Sequence, residues 1–169
     1  MNNTNLTDQE LENFKKIHNE VIPNRSKSFE NKFYSSKNNN KNLDPIIKKS
    51  LEIFDNFGFN DIDKSVYSVE FHQRNCGFER KNKRENPFTW HQDDYGAVNY
   101  RVNTIIYYLR KDKTIINGNL KYRINGKEDK HIVKNGNILC FRGDLWHYPE
   151  TSTGFGCRDI IVVFIKRNN

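Results

Sequence analysis

The stretch Arg101–Leu109, RVNTIIYYL, reads as a β-strand because β-branched and aromatic residues fill it. Alternate residues of a strand share a face. One face would therefore carry Thr104, Ile106 and Tyr108, and the opposite face would carry Asn103, Ile105, Tyr107 and Leu109. This alternation predicts which side chains of the strand point into an interior.

Period-two patterns continue on both sides of this strand, from Ser65 onward. Further candidate strands cover Ser65–His72, Phe88–Gln92, Asn119–Ile124, Lys130–Lys134, Asn137–Arg142 and Cys157–Arg167. Asn-Gly pairs at 117–118, 125–126 and 135–136 predict tight turns, because both residue types tolerate positive φ. Since no helical pattern separates the strands, we expect an antiparallel sandwich or a small barrel.

The N-terminal part carries helical patterns instead. Thr7–Glu10 forms a capping box, and apolar residues then recur at helix spacing as far as Pro23. A second helix is predicted from Pro45, with Asp44 as its N-cap, to the neighbourhood of Gly58. Both helices are expected to pack on one sheet of the strand-rich part.

The polar stretch 24–42 between these helices is rich in Ser, Lys and Asn, and it predicts a mobile loop or a partly ordered extension. A chain of 169 residues has room for one domain with one sizeable core. We therefore expect a single domain over residues 1–169. In it, residues 1–64 would form a helical support and residues 65–167 the β core.

The formal net charge of +7 favours an acidic partner such as nucleic acid, an anionic protein segment or an anionic metabolite. An AT-rich coding sequence would produce the same abundance of lysine and asparagine without any binding surface. The densest basic cluster, Arg80–Arg84, precedes His91 by a few residues and also fits a solvated loop. Charge alone does not choose between these readings.

The three cysteines, Cys76, Cys140 and Cys157, are widely spaced and lack metal-type pairing. They are expected to be free thiols, as in a reducing compartment. No apolar run approaches the length of a membrane span, and the polar start has neither the basic nor the apolar region of a secretory signal. These features predict a chain that stays in the cytosol and has no membrane partner.

His91-Gln92-Asp93 is a candidate metal motif, because His91 and Asp93 would share one face of a strand. An H-x-D tripeptide alone is weak evidence for a metal site. His147 adds a second imidazole further along the chain. Two imidazoles and one carboxylate occupy three positions on a metal and leave the others open, as in non-haem ferrous oxygenases.

Arg158 follows His147 by eleven residues and alternates with the apolar positions of the last candidate strand, Ile160, Val162 and Phe164. An arginine on an apolar inner face needs an anion, because leaving it unpaired would cost several kcal/mol. That anion would be a protein carboxylate or a bound ligand. Alternatively, Arg158 begins the strand at its solvated end.

From about Tyr67 to Lys166, the chain resembles the 2-oxoglutarate and iron-dependent oxygenases, and it is most similar to the prolyl hydroxylase group that includes the HIF-type enzymes. The segments that carry the resemblance are His91–Asp93, Arg101–Leu109, Gly118–Leu120 and Gly136–Phe141, followed by His147 and Arg158. The family fold is a double-stranded β-helix, a relative of the jelly roll and the cupins, with the metal at its open end.

The resemblance implies that His91, Asp93 and His147 bind Fe(II). It also implies that Arg158 binds the distal carboxylate of the cosubstrate 2-oxoglutarate and that Tyr108 adds a hydrogen bond to the same group. Thr104, on the same strand face as Tyr108, would line the cosubstrate pocket. Tyr107 is expected to face away from it.

In this family, 2-oxoglutarate is decarboxylated to succinate and carbon dioxide while a substrate is oxidised, with ascorbate as a frequent reductant. Related halogenases have a small residue in the place of Asp93, so its presence here favours hydroxylation. The resemblance therefore implies a dioxygenase that acts on a protein or peptide side chain, with proline as the first candidate.

Two alternatives stay open. The positive charge also suits an oxygenase acting on a nucleic-acid base. The AlkB-type repair enzymes carry a second arginine six positions after the first, where this chain has Phe164. The other alternative is a cupin-like metal-binding module without turnover.

Overall fold

The computed structural model describes residues 1–22, 43–76, 90–95 and 100–168, and only the backbone of residues 30–36. Two helices lie in this part of the chain, α1 (Asp8–Val21) and α2 (Asp44–Asn56). The strands are β1 (Asn2–Asn5), β2 (Glu30–Ser36), β3 (Ile62–Cys76), β4 (Val102–Lys111), β5 (Ile115–Asn117), β6 (Leu120–Ile124), β7 (Lys127–His131), β8 (Asn137–Arg142), β9 (His147–Pro149), β10 (Ser152–Gly154) and β11 (Gly156–Arg167).

The strands form three antiparallel sheets. The largest has six strands in the order β1-β8-β4-β11-β3-β2, and the others have the orders β7-β6-β9 and β10-β5. Each pairing between these strands is antiparallel. The expectation of a mainly β fold with N-terminal helices is therefore confirmed.

Both faces of the six-stranded sheet are buried, and alternate residues of β4 enter two different cores. Ile105, Tyr107 and Leu109 pack with the helices. Ile106 and Tyr108 belong to the second core, which includes Leu120 from the three-stranded sheet. The alternation predicted for this strand is confirmed, so the sequence assigned each side chain to the correct face.

The start of α1 confirms the predicted capping box. The Thr7 hydroxyl accepts from the Glu10 backbone N–H at 3.3 Å, and the Glu10 carboxylate accepts from the Thr7 backbone N–H at 2.8 Å. The prediction for α2 was wrong in one detail. Asp44 is its first helical residue, and Leu43 occupies the N-cap position without a side-chain hydrogen bond. Leu43 is buried in the core, so packing rather than capping fixes this end.

The polar stretch 24–42 contains a strand, which agrees with the expected partly ordered extension and not with the alternative of a mobile loop over residues 30–36. β2 pairs with β3 over seven residues, from Glu30 to Ser36. The candidate strand 88–92 also differs, because its described residues 90–92 form a single bridge at His91 rather than a strand. Residues 88–89 and the basic cluster Arg80–Arg84 lie outside the described residues.

The Asn-Gly pair at 125–126 makes the predicted hairpin between β6 and β7. Asn125 has φ 51° and Gly126 has φ 75°, the left-handed geometry that such turns require. All three cysteines are free thiols, as expected. Among the described residues, neither helix is long and apolar enough to cross a membrane.

Tyr107 and α2 are joined by a buried hydrogen bond. The Tyr107 hydroxyl lies 2.7 Å from Ser50 Oγ on α2. The Ser50 hydroxyl donates to the backbone carbonyl of Ile46 at 2.8 Å. Because the single hydroxyl proton of Ser50 goes to Ile46, Tyr107 is the donor to Ser50. Tyr107 thus faces the helices, as its strand position predicted.

We expect Tyr107→Phe to lower the free energy of unfolding by about 1 kcal/mol, because it removes one buried hydrogen bond without changing the ring packing. Urea denaturation would measure the difference. Tyr95→Phe, at a residue that is 65% exposed, is the matched control and should change little. An unchanged unfolding free energy in Tyr107→Phe would contradict the assigned bond.

Candidate metal centre

Two backbone hydrogen bonds join His91 to His147 in an isolated antiparallel bridge. The His91 N–H donates to the His147 carbonyl at 3.0 Å, and the His147 N–H donates to the His91 carbonyl at 2.9 Å. The centroids of their imidazole rings are 4.2 Å apart. Segments that are far apart in sequence are therefore in register at the two histidines.

Asp93 completes a cluster with these histidines. One possible ligand atom from each of His91, Asp93 and His147 lies within 4.8 Å of the other two. Asp93 Oδ1 lies 3.6 Å from His147 Nε2 and 3.9 Å from His91 Nε2. The structure therefore brings together the three residues predicted as metal ligands, although a bridge and a turn, rather than a strand, position the first two.

The imidazole of His147 is oriented for coordination through Nε2. Its Nδ1–H donates to the backbone carbonyl of Leu145 at 2.9 Å, a contact that fixes the tautomer. Burial lowers the pKa of His147; the Asp93 carboxylate opposes this shift and His91 adds to it. A lowered pKa favours the neutral imidazole, the form that binds a metal.

The carboxylate of Asp93 is held by Thr104 on β4, whose hydroxyl donates to Asp93 Oδ2 at 2.7 Å. This contact leaves Oδ1 directed towards the two histidines. Thr104 was predicted to line the cosubstrate pocket, and the structure adds a hydrogen bond from its hydroxyl to the candidate ligand Asp93.

The three side chains differ in exposure. That of His147 is 4% exposed and that of Asp93 is 11% exposed, whereas that of His91 is 41% exposed. Among the described residues, the cluster is therefore most accessible on the His91 side.

Asp94 is turned away from this cluster, although it is adjacent in sequence. Its Oδ1 accepts the backbone N–H of Val102 at 2.8 Å, and its Oδ2 lies 3.6 Å from Arg167 Nη1. The H-x-D pattern assigned Asp93 rather than Asp94 to the cluster, and the geometry agrees.

Gly143, which the sequence analysis did not single out, supports the turn that carries Asp93. Its carbonyl accepts the backbone N–H groups of Asp93 at 2.8 Å and of Asp94 at 3.1 Å. A Cβ at this position would overlap Asp94 Oδ1 and approach the Val102 side chain to 2.7 Å. A glycine directly after a buried strand was the available signal, since a close backbone approach often requires one.

Arg158 lies on the inner face of β11 and is 5% exposed. Its Nη1 donates to the backbone carbonyl of Gly118 at 2.8 Å. The alternative that Arg158 begins the strand in solvent is therefore wrong. Ile160, Val162 and Phe164 are buried in the second core, as the alternation predicted.

Tyr108 and Lys111 lie near this arginine. Burial raises the pKa of Tyr108 to about 12, while the positive charge of Arg158 acts in the opposite direction, so the hydroxyl stays protonated. Lys111 lies opposite Arg158 in the pairing of β4 with β11, and the sequence analysis did not single it out. Burial lowers the pKa of Lys111, and Arg158 lowers it further. Two cationic residues therefore meet at this end of the sheet.

No protein-family model matches the chain, and no curated protein sequence matches it. Solved structures do match. A Pseudomonas putida prolyl-4-hydroxylase is similar with a TM-score of 0.67 and 12% identity, over 99% of this chain and 92% of that one. The viral collagen prolyl hydroxylase of Paramecium bursaria Chlorella virus 1, in its 2-oxoglutarate complex, has a TM-score of 0.61 and 17% identity, over 99% and 96%. A Burkholderia pseudomallei oxidoreductase of the 2-oxoglutarate–Fe(II) oxygenase family has a TM-score of 0.70 and 11% identity, over 97% and 81%.

The chain has the fold of these oxygenases. The match extends over nearly all of its length, so the helices and the edge strands are included with the central β-strands. At 11 to 17% identity, the likeness concerns the backbone, and the roles of individual residues depend on the geometry of this chain.

Trp90 and Trp146, which directly precede His91 and His147, differ in their surroundings. Trp90 lies 6.0 Å from Tyr148, measured between ring centroids, and the Arg123 guanidinium lies 3.9 Å above its ring. Trp146 is 47% exposed. Packing accounts for Trp90, whereas the exposed Trp146 is not explained by packing.

We expect Thr104→Val to weaken metal binding roughly 10- to 100-fold, because it removes the hydrogen bond that orients Asp93 while preserving side-chain shape. Calorimetric titration of the metal-free protein with Co(II) would measure the change. Thr104→Ser keeps the hydroxyl and should retain most of the affinity. Equal affinities for Thr104→Val and the wild type would exclude this role.

Proposed function

We propose that the protein is a 2-oxoglutarate- and Fe(II)-dependent dioxygenase with His91, Asp93 and His147 as its iron ligands. The observation that carries this proposal is the convergence of two imidazoles and one carboxylate within 4.8 Å in a chain with the fold of such oxygenases. The donor set suits non-haem Fe(II), which is typically held by three protein ligands with its remaining positions open.

The residues around the cluster fit a bound metal. The Leu145 carbonyl accepts from Nδ1 of His147, and the Thr104 hydroxyl donates to Oδ2 of Asp93. Groups beside a metal site usually hold in this way the ligand atoms that do not bind the metal. When bound, iron would supply the activation of dioxygen that amino-acid side chains cannot perform. The chain itself would supply the geometry and exclude water.

For the cosubstrate, Arg158 supplies a buried guanidinium that can bind a carboxylate in a bidentate manner. We propose that it binds the distal carboxylate of 2-oxoglutarate, and that the protonated hydroxyl of Tyr108 donates to the same group. Lys111 adds positive charge beside Arg158. We also propose that Thr104, on the same strand face as Tyr108, lines the cosubstrate pocket.

We also propose that the six-stranded sheet and the smaller sheets correspond to the two layers of a double-stranded β-helix. Residues 1–169 would then form a single domain, with residues 1–64 supporting the β core 65–167. The second core supports this arrangement, because it contains residues of β4, β6, β8 and β11 from two different sheets.

The proposed substrate is a protein or peptide side chain, with proline as the first candidate, because two of the similar structures are described as prolyl hydroxylases. Ascorbate is proposed as the reductant that maintains the iron. A nucleic-acid base is the second candidate, favoured by the net charge of +7. Phe164 counts against the AlkB type, since it occupies the position of that type's second arginine.

We expect the wild-type protein, supplied with ferrous iron, ascorbate and labelled 2-oxoglutarate, to produce labelled succinate. His91→Ala, Asp93→Ala and His147→Ala should each abolish this production, because each removes one of the three proposed iron ligands. Tyr107→Phe should retain it, since this residue faces the helices. Wild-type protein that binds iron but forms no succinate would favour the cupin-like metal-binding module without turnover.

We expect Arg158→Ala to raise the 2-oxoglutarate concentration needed for half-maximal turnover at least about tenfold, because it removes a buried charge-assisted contact. Metal affinity should stay near that of the wild type. Arg110→Ala is the matched control, because Arg110 is paired with Asp112 at 2.6 Å. Wild-type behaviour of Arg158→Ala would show that the cosubstrate assignment is wrong.

Mass spectrometry of peptides and oligonucleotides that were incubated with the wild-type protein would identify the substrate class by a gain of one oxygen.

A further inference from the structure

Arg167, near the end of β11, lies among carboxylates beside the candidate metal centre. Its side chain is 4% exposed. Nη1 lies 3.6 Å from Asp94 Oδ2 and 3.6 Å from Asp144 Oδ2, and Nε donates to Asp61 Oδ2 at 3.1 Å. One buried guanidinium therefore faces three carboxylates.

Two of these carboxylates belong to the turn that carries Asp93 and to the turn that leads to His147. Asp94 follows Asp93 directly, and Asp144 precedes His147 by three residues. The two turns also make polar contact with each other, because the Gln92 side-chain amide donates to the backbone carbonyl of Asp144. Arg167 thus joins the turn of Asp93 to the turn that leads to His147.

The charges explain why such a link matters. Asp94 and Asp144 are both acidic, and with no cation between them they would repel each other and separate the turns. Arg101 lies 3.9 Å from Asp94 and Arg142 lies 3.5 Å from Asp144, but the side chains of Arg101 and Arg142 are 46% and 50% exposed. Exposed ion pairs contribute little. Among the residues that the structure describes, the buried Arg167 is therefore the main neutralising group between the turns.

We propose that Arg167 is a positioning residue for the metal centre, which sets the separation of the Asp93 and His147 turns through Asp94 and Asp144. The inference rests on the proposed function, because it assumes that the three donors bind a metal. It adds a residue that contacts none of the donors and lies at the far end of the last strand.

The test is the affinity of the metal-free protein for Co(II), measured by calorimetric titration without 2-oxoglutarate. Arg167→Met keeps the length of the side chain and removes its charge, and it should weaken binding roughly 10- to 100-fold. Arg167→Lys should recover part of this loss. Arg142→Met is the matched control, because Arg142 also lies beside Asp61 and Asp144 but is half exposed, and its affinity should stay within about twofold of the wild type.

Thermal unfolding of the metal-free variants separates positioning from general stability. Arg167→Met protein that unfolds at a lower temperature but binds Co(II) with wild-type affinity would overturn the inference and leave the proposed function intact. Wild-type protein that binds no Co(II) would overturn both. If Arg167→Met does not fold, Arg167→Gln takes its place, since glutamine has no charge but can still donate hydrogen bonds to the surrounding carboxylates. We expect it to weaken Co(II) binding several-fold, and an unchanged affinity would overturn the inference.

Discussion

The pair of backbone hydrogen bonds between His91 and His147 is the constraint on which the site depends. It makes two segments that are distant in sequence neighbours at the position in each that carries a histidine. Asp93 then needs only a tight turn, held by the Gly143 carbonyl, to reach the same point. Backbone atoms therefore set the register of the two histidines.

Much of this arrangement follows from local sequence patterns. The alternation in β4 and β11 assigned inner and outer side chains correctly, because both faces of the sheet are buried and each residue has one apolar environment available. The capping box of α1 and the hairpin turn at Asn125–Gly126 were also predictable, since both signals are complete within four residues. The same alternation placed Arg158 on the inner face but left open a solvated start of the strand, which its 5% exposure excludes.

Other features depend on contacts that no local pattern encodes. β1 and β2 are polar segments that become strands because an existing strand edge offers them hydrogen bonds. Leu43 replaces Asp44 at the helix cap because the core requires an apolar residue there. The Thr104–Asp93 hydrogen bond and the role of Gly143 depend on how separate elements approach each other in space, so an inner-face assignment for Thr104 could not reveal its partner.

The N-terminal strand β1 has a further consequence for handling the protein. It pairs with β8, whose residues Ile138–Phe141 are fully buried. The backbone N–H and C=O groups on this side of β8 are thereby hydrogen-bonded to β1. The residues of β1 itself, Asn2–Asn5, are polar, so its outer edge is a poor template for self-association. Removal of this short polar segment would leave an apolar strand uncovered. Trimmed versions of the chain would therefore be prone to aggregate even where the metal-binding residues are intact.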